Sequence, residues 1–165
     1  MKLLLLATFA GGCFWCLQPP FDALKGVVST KVGYMGGHTK NPTYDSVCSG
    51  STGHAEVIQI EYNPKEVSYN TLLTLFWSNI NPTQSDGQFV DKGTQYRSVI
   101  FYHTQDQQKQ ALLSKKNLEA SLKQSVVTPI EAASTFYEAE DYHQAYYKKY
   151  PLRYQFYKKG SGRLK

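Results

Sequence analysis

The spacing of apolar and polar positions divides this chain into short elements separated by two long polar loops. Leu3 to Ala10 is almost wholly apolar and is closed by Gly11-Gly12, the pattern of a central strand over Leu3–Phe9. Cys13–Leu24 reads as the first helix, with Pro19 and Pro20 expected in its first turns, where N–H groups lack partners in any case. Gly26–Tyr34 is β-branched enough for a second strand, and Ala55–Tyr62 alternates as a third. Ser68–Ile80 sets Leu72, Leu73, Phe76, Trp77 and Ile80 on one helical face. Tyr96–His103 returns as a strand, and Thr104 opens a helix to about Lys123 with Ala111, Leu112, Leu118 and Leu122 expected inward. Val126–Ile130 is expected as a short strand, and Tyr137–Tyr147 as an aromatic helix or loop. The segments 35–54 and 81–95 are rich in Gly, Asn, Pro, Ser and Thr, and loops this long inside a compact domain usually carry function. The order β-α-β-β-α-β predicts an α+β fold: a ferredoxin-like split βαβ sandwich with a mixed sheet and long functional loops.

Composition narrows the picture. The chain has 165 residues, enough for one domain with a substantial core, and neither repeat nor linker interrupts it. Its formal charge is +5, but much of the excess lies in Lys148, Lys149, Arg153, Lys158, Lys159, Arg163 and Lys165. That concentration suggests a single domain over 1–155 followed by a solvated basic tail over 156–165. The aromatics do not alternate with the positive charges, so no nucleic-acid partner is expected. Three cysteines are too few for a secreted disulfide framework, and no apolar run reaches the roughly 20 residues of a membrane span. The run before Cys13 sits at the short limit of a signal h-region and has only Lys2 as its charged start. A cytoplasmic monomer without membrane attachment is the expectation.

The Gly11-Gly12 turn sets Cys13 where a strand passes into a helix N-terminus. Free N–H groups and the helix dipole favour an anion there, so the Cys13 thiol is expected to have a lowered pKa. Cys16 follows one turn later on the same face, about 5–6 Å away. From the residues alone, the pair is either redox machinery or half of a metal site. A zinc set of Cys13, Cys16, Cys48 and His54 has a poor second spacing and would consume the nucleophile, so no metal is expected. A general thiol–disulfide oxidoreductase built on Cys13-x-x-Cys16 remains a second reading.

Six segments in order sharpen this choice. They are Gly11-Gly-Cys-Phe-Trp-Cys16, Asn41-Pro-Thr-Tyr44, Val47-Cys-Ser-Gly50, Thr52-Gly-His-Ala-Glu56, Asp91-Lys-Gly-Thr-Gln-Tyr-Arg-Ser98 and Ala139-Glu-Asp-Tyr-His-Gln144. Together they closely resemble the type A peptide methionine sulfoxide reductases, which act on the S epimer of methionine sulfoxide, free and in proteins. The resemblance implies that Cys13 attacks the sulfoxide sulfur and becomes a sulfenic acid. It implies Glu56 as the acid, kept protonated by desolvation, and Tyr44 and Tyr96 as the phenols that hold the sulfoxide oxygen. Phe14 and Trp15 would wall the methyl pocket, and Asp91 and His143 would stand near the substrate main chain. Cys16 is favoured over Cys48 as the resolving thiol, and thioredoxin or another dithiol would reduce the product disulfide, with no bound cofactor. Two positions depart from the pattern: Gln18 stands where many members have Glu, and Asn81 where Asp is usual.

Overall fold

The computed structural model describes residues 2–163. Its six-stranded sheet has the order β7-β6-β1-β3-β2-β8, built from β1 (Leu5–Gly11), β2 (Val27–Met35), β3 (Ala55–Tyr62), β6 (Ser98–Tyr102), β7 (Ile130–Ala132) and β8 (Tyr137–Glu138). A small hairpin of β4 (Gly87–Gln88) and β5 (Asp91–Lys92) stands apart. The central four strands pair antiparallel in the order β6-β1-β3-β2, and β7 joins the edge in parallel. This is the α+β split βαβ arrangement that the element order predicts.

Alternation along the strands builds two unequal faces. Ala7 and Phe9 of β1 and Ile58, Ile60 and Tyr62 of β3 point into the main core. There they meet Leu17 and Phe21 of α1 (Phe14–Asp22), Leu72, Leu73 and Phe76 of α3 (Tyr69–Ser78), and Ala111 of α4 (Gln105–Leu122). Phe9 is the hub, with ring centroids 4.8 to 6.2 Å from Phe76, Phe21 and Tyr69. Ala10, Ala55, Val57, Val99 and Phe101 line the other face, covered by Ala133 and Phe136. Glu56 shares the parity of Ile58 and Ile60. A carboxyl therefore occupies the end of an apolar row and is buried with it.

Several expectations are corrected. Pro19 and Pro20 lie inside α1, in its second turn, and remove the N–H groups that the Trp15 and Cys16 carbonyls would receive. Leu112 and Leu122 are 50% and 45% exposed, because α4 buries only a narrow stripe around Gln107 and Ala111. The strand expected at Val126–Ile130 forms later, at Ile130–Ala132, and the segment 137–147 divides into β8, a short 3-10 turn and the start of α5 (Tyr146–Lys149). The loop at 35–54 contains α2 (Tyr44–Cys48), and the loop at 81–95 contains the β4–β5 hairpin.

The solvated tail is corrected as well. The boundary at 155/156 falls inside α6 (Pro151–Gly160), after which Ser161 is fully buried. Arg163 donates from Nη2 to the Gly11 carbonyl at 2.9 Å and from Nη1 to the Asn79 carbonyl at 3.0 Å. Residues 164 and 165 lie outside the described residues. The basic end of the chain thus docks beside the Gly-Gly turn.

Candidate active site

Strand order decides where the site forms. β1 and β2 end, and β3 and β6 begin, at one edge of the sheet. Register sets Gly11 opposite Ser98, and Tyr34 opposite Glu56. The turn after β1 and both long loops converge on that edge. Gly12 has φ +85°, and an added Cβ would lie 2.6 Å from Gln88 Cβ and crowd the Arg163 guanidinium. Only glycine permits this turn, which delivers Cys13 as the N-cap of α1.

Cys13 and Glu56 are joined through the backbone. The Phe14 N–H, the first after Cys13, donates to Glu56 Oε1 at 3.1 Å. Burial pushes the Glu56 carboxyl up to about 8, against the bond from Phe14, so it is largely protonated at neutral pH. The lowered pKa expected for Cys13 is corrected. Burial pushes this thiol well above its ordinary value, and its hydrogen bond with Cys16 and the Glu56 charge act in the same direction. The Trp15 N–H opposes them. Cys16 moves the other way: its bond with Cys13 lowers its pKa against burial, with Arg163 and Lys158 assisting. Both cysteines are nearly covered, at 6% and 5% exposed, and neither is in a disulfide.

The two phenols come from the two loops. Thr43 caps α2 in a capping box with Ser46, which fixes Tyr44 as the first helical residue. Tyr96 closes a 3-10 turn after Gly93, and Gln95 Nε2 donates to the Cys48 carbonyl at 3.4 Å, tying the loops together. Burial raises the pKa of both phenols, and the Glu56 charge raises both further. Cys48 ends α2; burial raises its pKa against the nearby Tyr44 hydroxyl, and its charge in turn raises the pKa of Tyr44 and Tyr96, so it lies beside the phenols.

An aromatic cage closes the other side. Phe14 is fully buried against Tyr34 and His143, and Trp15 stacks on Tyr146 at 3.8 Å. Trp15 Nε1 donates to His143 Nδ1 at 2.9 Å, so the neutral ring carries its proton on Nε2. Burial holds the His143 pKa down to about 4, and Nε2 is buried without a protein partner. Asp91 accepts a hydrogen bond from Tyr157, whose ring stands edge-on to Trp15.

Sequence reasoning missed two residues here. Glu140 accepts from the Tyr34 hydroxyl at 3.0 Å and from the Tyr44 N–H at 3.1 Å, so it anchors the start of α2. The signal lay in Ala139-Glu-Asp-Tyr-His-Gln144, but nothing local gives Glu140 its partners. Tyr34, fully buried, is the other. The two departures are absorbed locally. Gln18 accepts from Ala145 N–H at 2.8 Å and donates to Thr30 at 3.0 Å, and Asn81 Oδ1 accepts from the Thr83 N–H and hydroxyl as a carboxylate oxygen would. The zinc set gains nothing: His54 uses Nδ1 on the Gly37 N–H and Nε2 on the Thr39 carbonyl, at 2.9 and 2.8 Å. Among the described residues, no group of three or more His, Cys, Asp or Glu side chains is arranged to hold a metal.

Comparison with known proteins agrees with this geometry. The family model for peptide methionine sulfoxide reductase matches residues 6–165. The chain belongs to the peptide methionine sulfoxide reductase family. MsrA of Bacillus licheniformis is 53% identical over 160 residues, covering 96% of this chain and 88% of its own length, and MsrA of Bacillus subtilis is 52% identical with 96% and 90% covered. Among solved structures of the family, reduced Mxr1 from Saccharomyces cerevisiae superposes with a TM-score of 0.87 at 37% identity, covering 92% of this chain and 87% of that one. Mxr1 in complex with Trx2 gives 0.62 at 27% identity, with 88% and 85% covered.

Proposed function

We propose that Cys13, Glu56, Tyr44, Tyr96 and Cys16 carry out the reduction of methionine-S-sulfoxide to methionine that the family performs. The observation that carries this assignment is a buried, neutral carboxyl bonded to the backbone one residue after a buried thiol. A sulfoxide sulfur resists attack until its oxygen accepts a proton. Glu56 supplies that proton, and the Tyr44 and Tyr96 hydroxyls hold the oxygen as neutral donors. The sulfur that this leaves electron-poor lowers the Cys13 pKa from outside, and Cys13 attacks as its proton departs toward Glu56. The products of this step are methionine and a Cys13 sulfenic acid: the oxygen ends on Cys13 with the proton that Glu56 gave it, and Glu56 is left holding the former thiol proton. Trp15 walls the methyl pocket with Phe14 behind it, the free Nε2–H of His143 donates to a main-chain carbonyl of the substrate, and Asp91 accepts from its amide.

Cys16 then attacks the sulfenic sulfur, releasing water and forming a Cys13–Cys16 disulfide, which thioredoxin reduces. Mxr1 taken with Trx2 supports that choice of reductant. The scheme requires no metal or bound cofactor. We assign the protein to the cytoplasm as a monomer, where a reduced thiol pool keeps all three cysteines available. A general CxxC oxidoreductase is less favoured, because it has no use for a neutral buried Glu56.

The test is mass spectrometry after one turnover on methionine-S-sulfoxide without reductant. One methionine per enzyme with a Cys13–Cys16 linkage is expected, and in Cys16→Ser one methionine with a sulfenic acid on Cys13. No methionine would refute the assignment of the site, and a Cys13–Cys48 linkage would refute Cys16 as the resolver.

A further inference from the structure

Two contacts of Trp15 lead to two polar groups. Its Nε1 bonds His143 Nδ1 and leaves the buried Nε2 without a partner, and its ring stands edge to face with Tyr157, centroids 5.8 Å apart and planes at 85°. The Tyr157 hydroxyl donates to Asp91 Oδ2, while Oδ1 takes no donor among the described residues. Asp91 thus repeats the pattern of His143, with one polar atom spent on an aromatic side chain and the other left for a ligand. The carboxyl needs this help, because its own strand does little to fix it. β5 is two residues long, stands apart from the main sheet, and pairs with β4 only at Gly87–Lys92 and Gln88–Asp91. Support comes from the end of the chain. The Val90 N–H donates to the Ser161 carbonyl just past α6 at 3.4 Å, and the Arg163 guanidinium stacks at 4.6 Å on Phe89. Tyr154 and Tyr157, three apart on α6, pack inward with Trp15 and Cys16, while Leu152 and Phe156 are both 76% exposed.

We propose that Tyr157 is a positioning residue for chain-bound methionine sulfoxide: its hydroxyl holds Asp91 so that Oδ1 accepts the backbone N–H of the sulfoxide residue. The inference rests on Asp91 as the acceptor for that amide. An amide N–H is a directional donor, and its bond weakens steeply when the acceptor turns away. The ammonium of free methionine sulfoxide is instead a charge with three donors, which a freely turning carboxyl attracts nearly as well. Tyr157 therefore favours the sulfoxide within a polypeptide over the free amino acid, without touching the reacting atoms. Burial pushes the Tyr157 phenol well above its ordinary value, with the Cys13 charge and the bond to Asp91 in the same direction, so the hydroxyl keeps the proton it donates. Tyr157→Phe keeps the ring against Trp15 and removes only that donor.

The test uses the full chain and an acetyl-capped methionine-S-sulfoxide peptide, paired with its analogue methylated at the amide nitrogen of the sulfoxide residue. Single-turnover rates against substrate concentration, without reductant, separate binding from chemistry. The unaltered protein should half-saturate at a concentration about tenfold lower for the N–H peptide than for the methylated one. Asp91→Ala should abolish that preference, and Tyr157→Phe should remove most of it while the limiting rate at saturation holds. Free methionine-S-sulfoxide should half-saturate Tyr157→Phe within about twofold of the unaltered protein. A preference lost in Asp91→Ala but kept in Tyr157→Phe would overturn the proposal. So would an equal rise for both peptides in Tyr157→Phe, which would mean a loosened wall and not a lost donor. If the unaltered protein shows no preference, or Asp91→Ala retains it, Asp91 is not the amide acceptor, and the premise fails with the proposal. The limiting rate in the same data still reports the sulfoxide step separately.

Discussion

Replacing Glu56 by Gln separates the cost of this carboxyl from its use. The side chain is fully buried, and its pKa rises from an ordinary 4.5 to about 8 on folding. Between those values the folded protein holds a proton on Glu56 that the unfolded chain has lost. The folded state therefore binds more protons, and stability falls as pH rises, by about 1.4 kcal/mol per pH unit. The loss begins above the unfolded value and is complete above the folded one. Across that window it amounts to about 5 kcal/mol, a large part of a domain's stability. Glutamine keeps the oxygen that accepts from the Phe14 N–H and never ionises. Its stability advantage over glutamate should be small at pH 5 and grow steadily to pH 8.

The comparison must be made as a difference between the two proteins. His143 is held neutral down to about 4, so its contribution rises with pH over the acid half of the same window and partly hides Glu56 in either protein alone. Urea unfolding of both proteins at half-unit intervals from pH 5 to 9 gives the difference curve. A slope near 1.4 kcal/mol per unit that flattens above pH 8 is expected. A flat difference would refute the reasoning, because it would mean that Glu56 titrates as an ordinary carboxylate and is not a neutral acid at pH 7. The same variant should lose about 100-fold or more in the single-turnover rate. In the unaltered protein, that rate should decline as pH rises through about 8 and Glu56 gives up its proton.

Other perturbations probe the scaffold of the site. Trp15→Phe leaves the buried His143 Nδ1 without its donor, at a cost of about 1–3 kcal/mol in urea unfolding, and KM for peptide sulfoxides should rise as the ring loses its fixed tautomer. Glu140→Ala strips the acceptor from Tyr34 and from the Tyr44 N–H; kcat/KM should drop about 100-fold through misplacement of the Tyr44 phenol, and Glu140→Gln should restore part of it. Phe9→Ala empties the centre of the main core and should cost about 3–5 kcal/mol while leaving the pH dependence of the first turnover unchanged.

What could be read from the sequence was what depends on neighbours along the chain. Ser68 and Thr104 cap α3 and α4 as their positions suggest, accepting from Thr71 and Gln107 N–H, and Ala55–Tyr62 forms the third strand with the expected ends. Five-residue α2 was lost in a polar loop, although Thr43 and Ser46 formed a legible capping box. Leu112 and Leu122 were misplaced because period alone cannot say how wide a stripe the sheet covers, and the width here admits little beyond Ala111. Arg163 counted as one more solvated charge because its acceptors, the Gly11 and Asn79 carbonyls, lie 152 and 84 residues away.

Cys13 shows the same division inside a single residue. A helix N-terminus and a Gly-Gly turn argue locally for a thiolate, but the first N–H of that helix is already engaged by Glu56, and the surrounding core removes water from the sulfur. The two effects that sequence cannot supply oppose the one that it can, and they win. The resting enzyme thus holds a covered thiol and a neutral acid side by side, both unreactive toward stray electrophiles. On the mechanism we propose, a bound sulfoxide alters this balance: protonating its oxygen leaves a positive sulfur against Cys13, in a pocket with little water to screen that charge. Reactivity then arises in the complex and not in the free enzyme, so the thiol should alkylate slowly at neutral pH while still completing its turnover on methionine-S-sulfoxide.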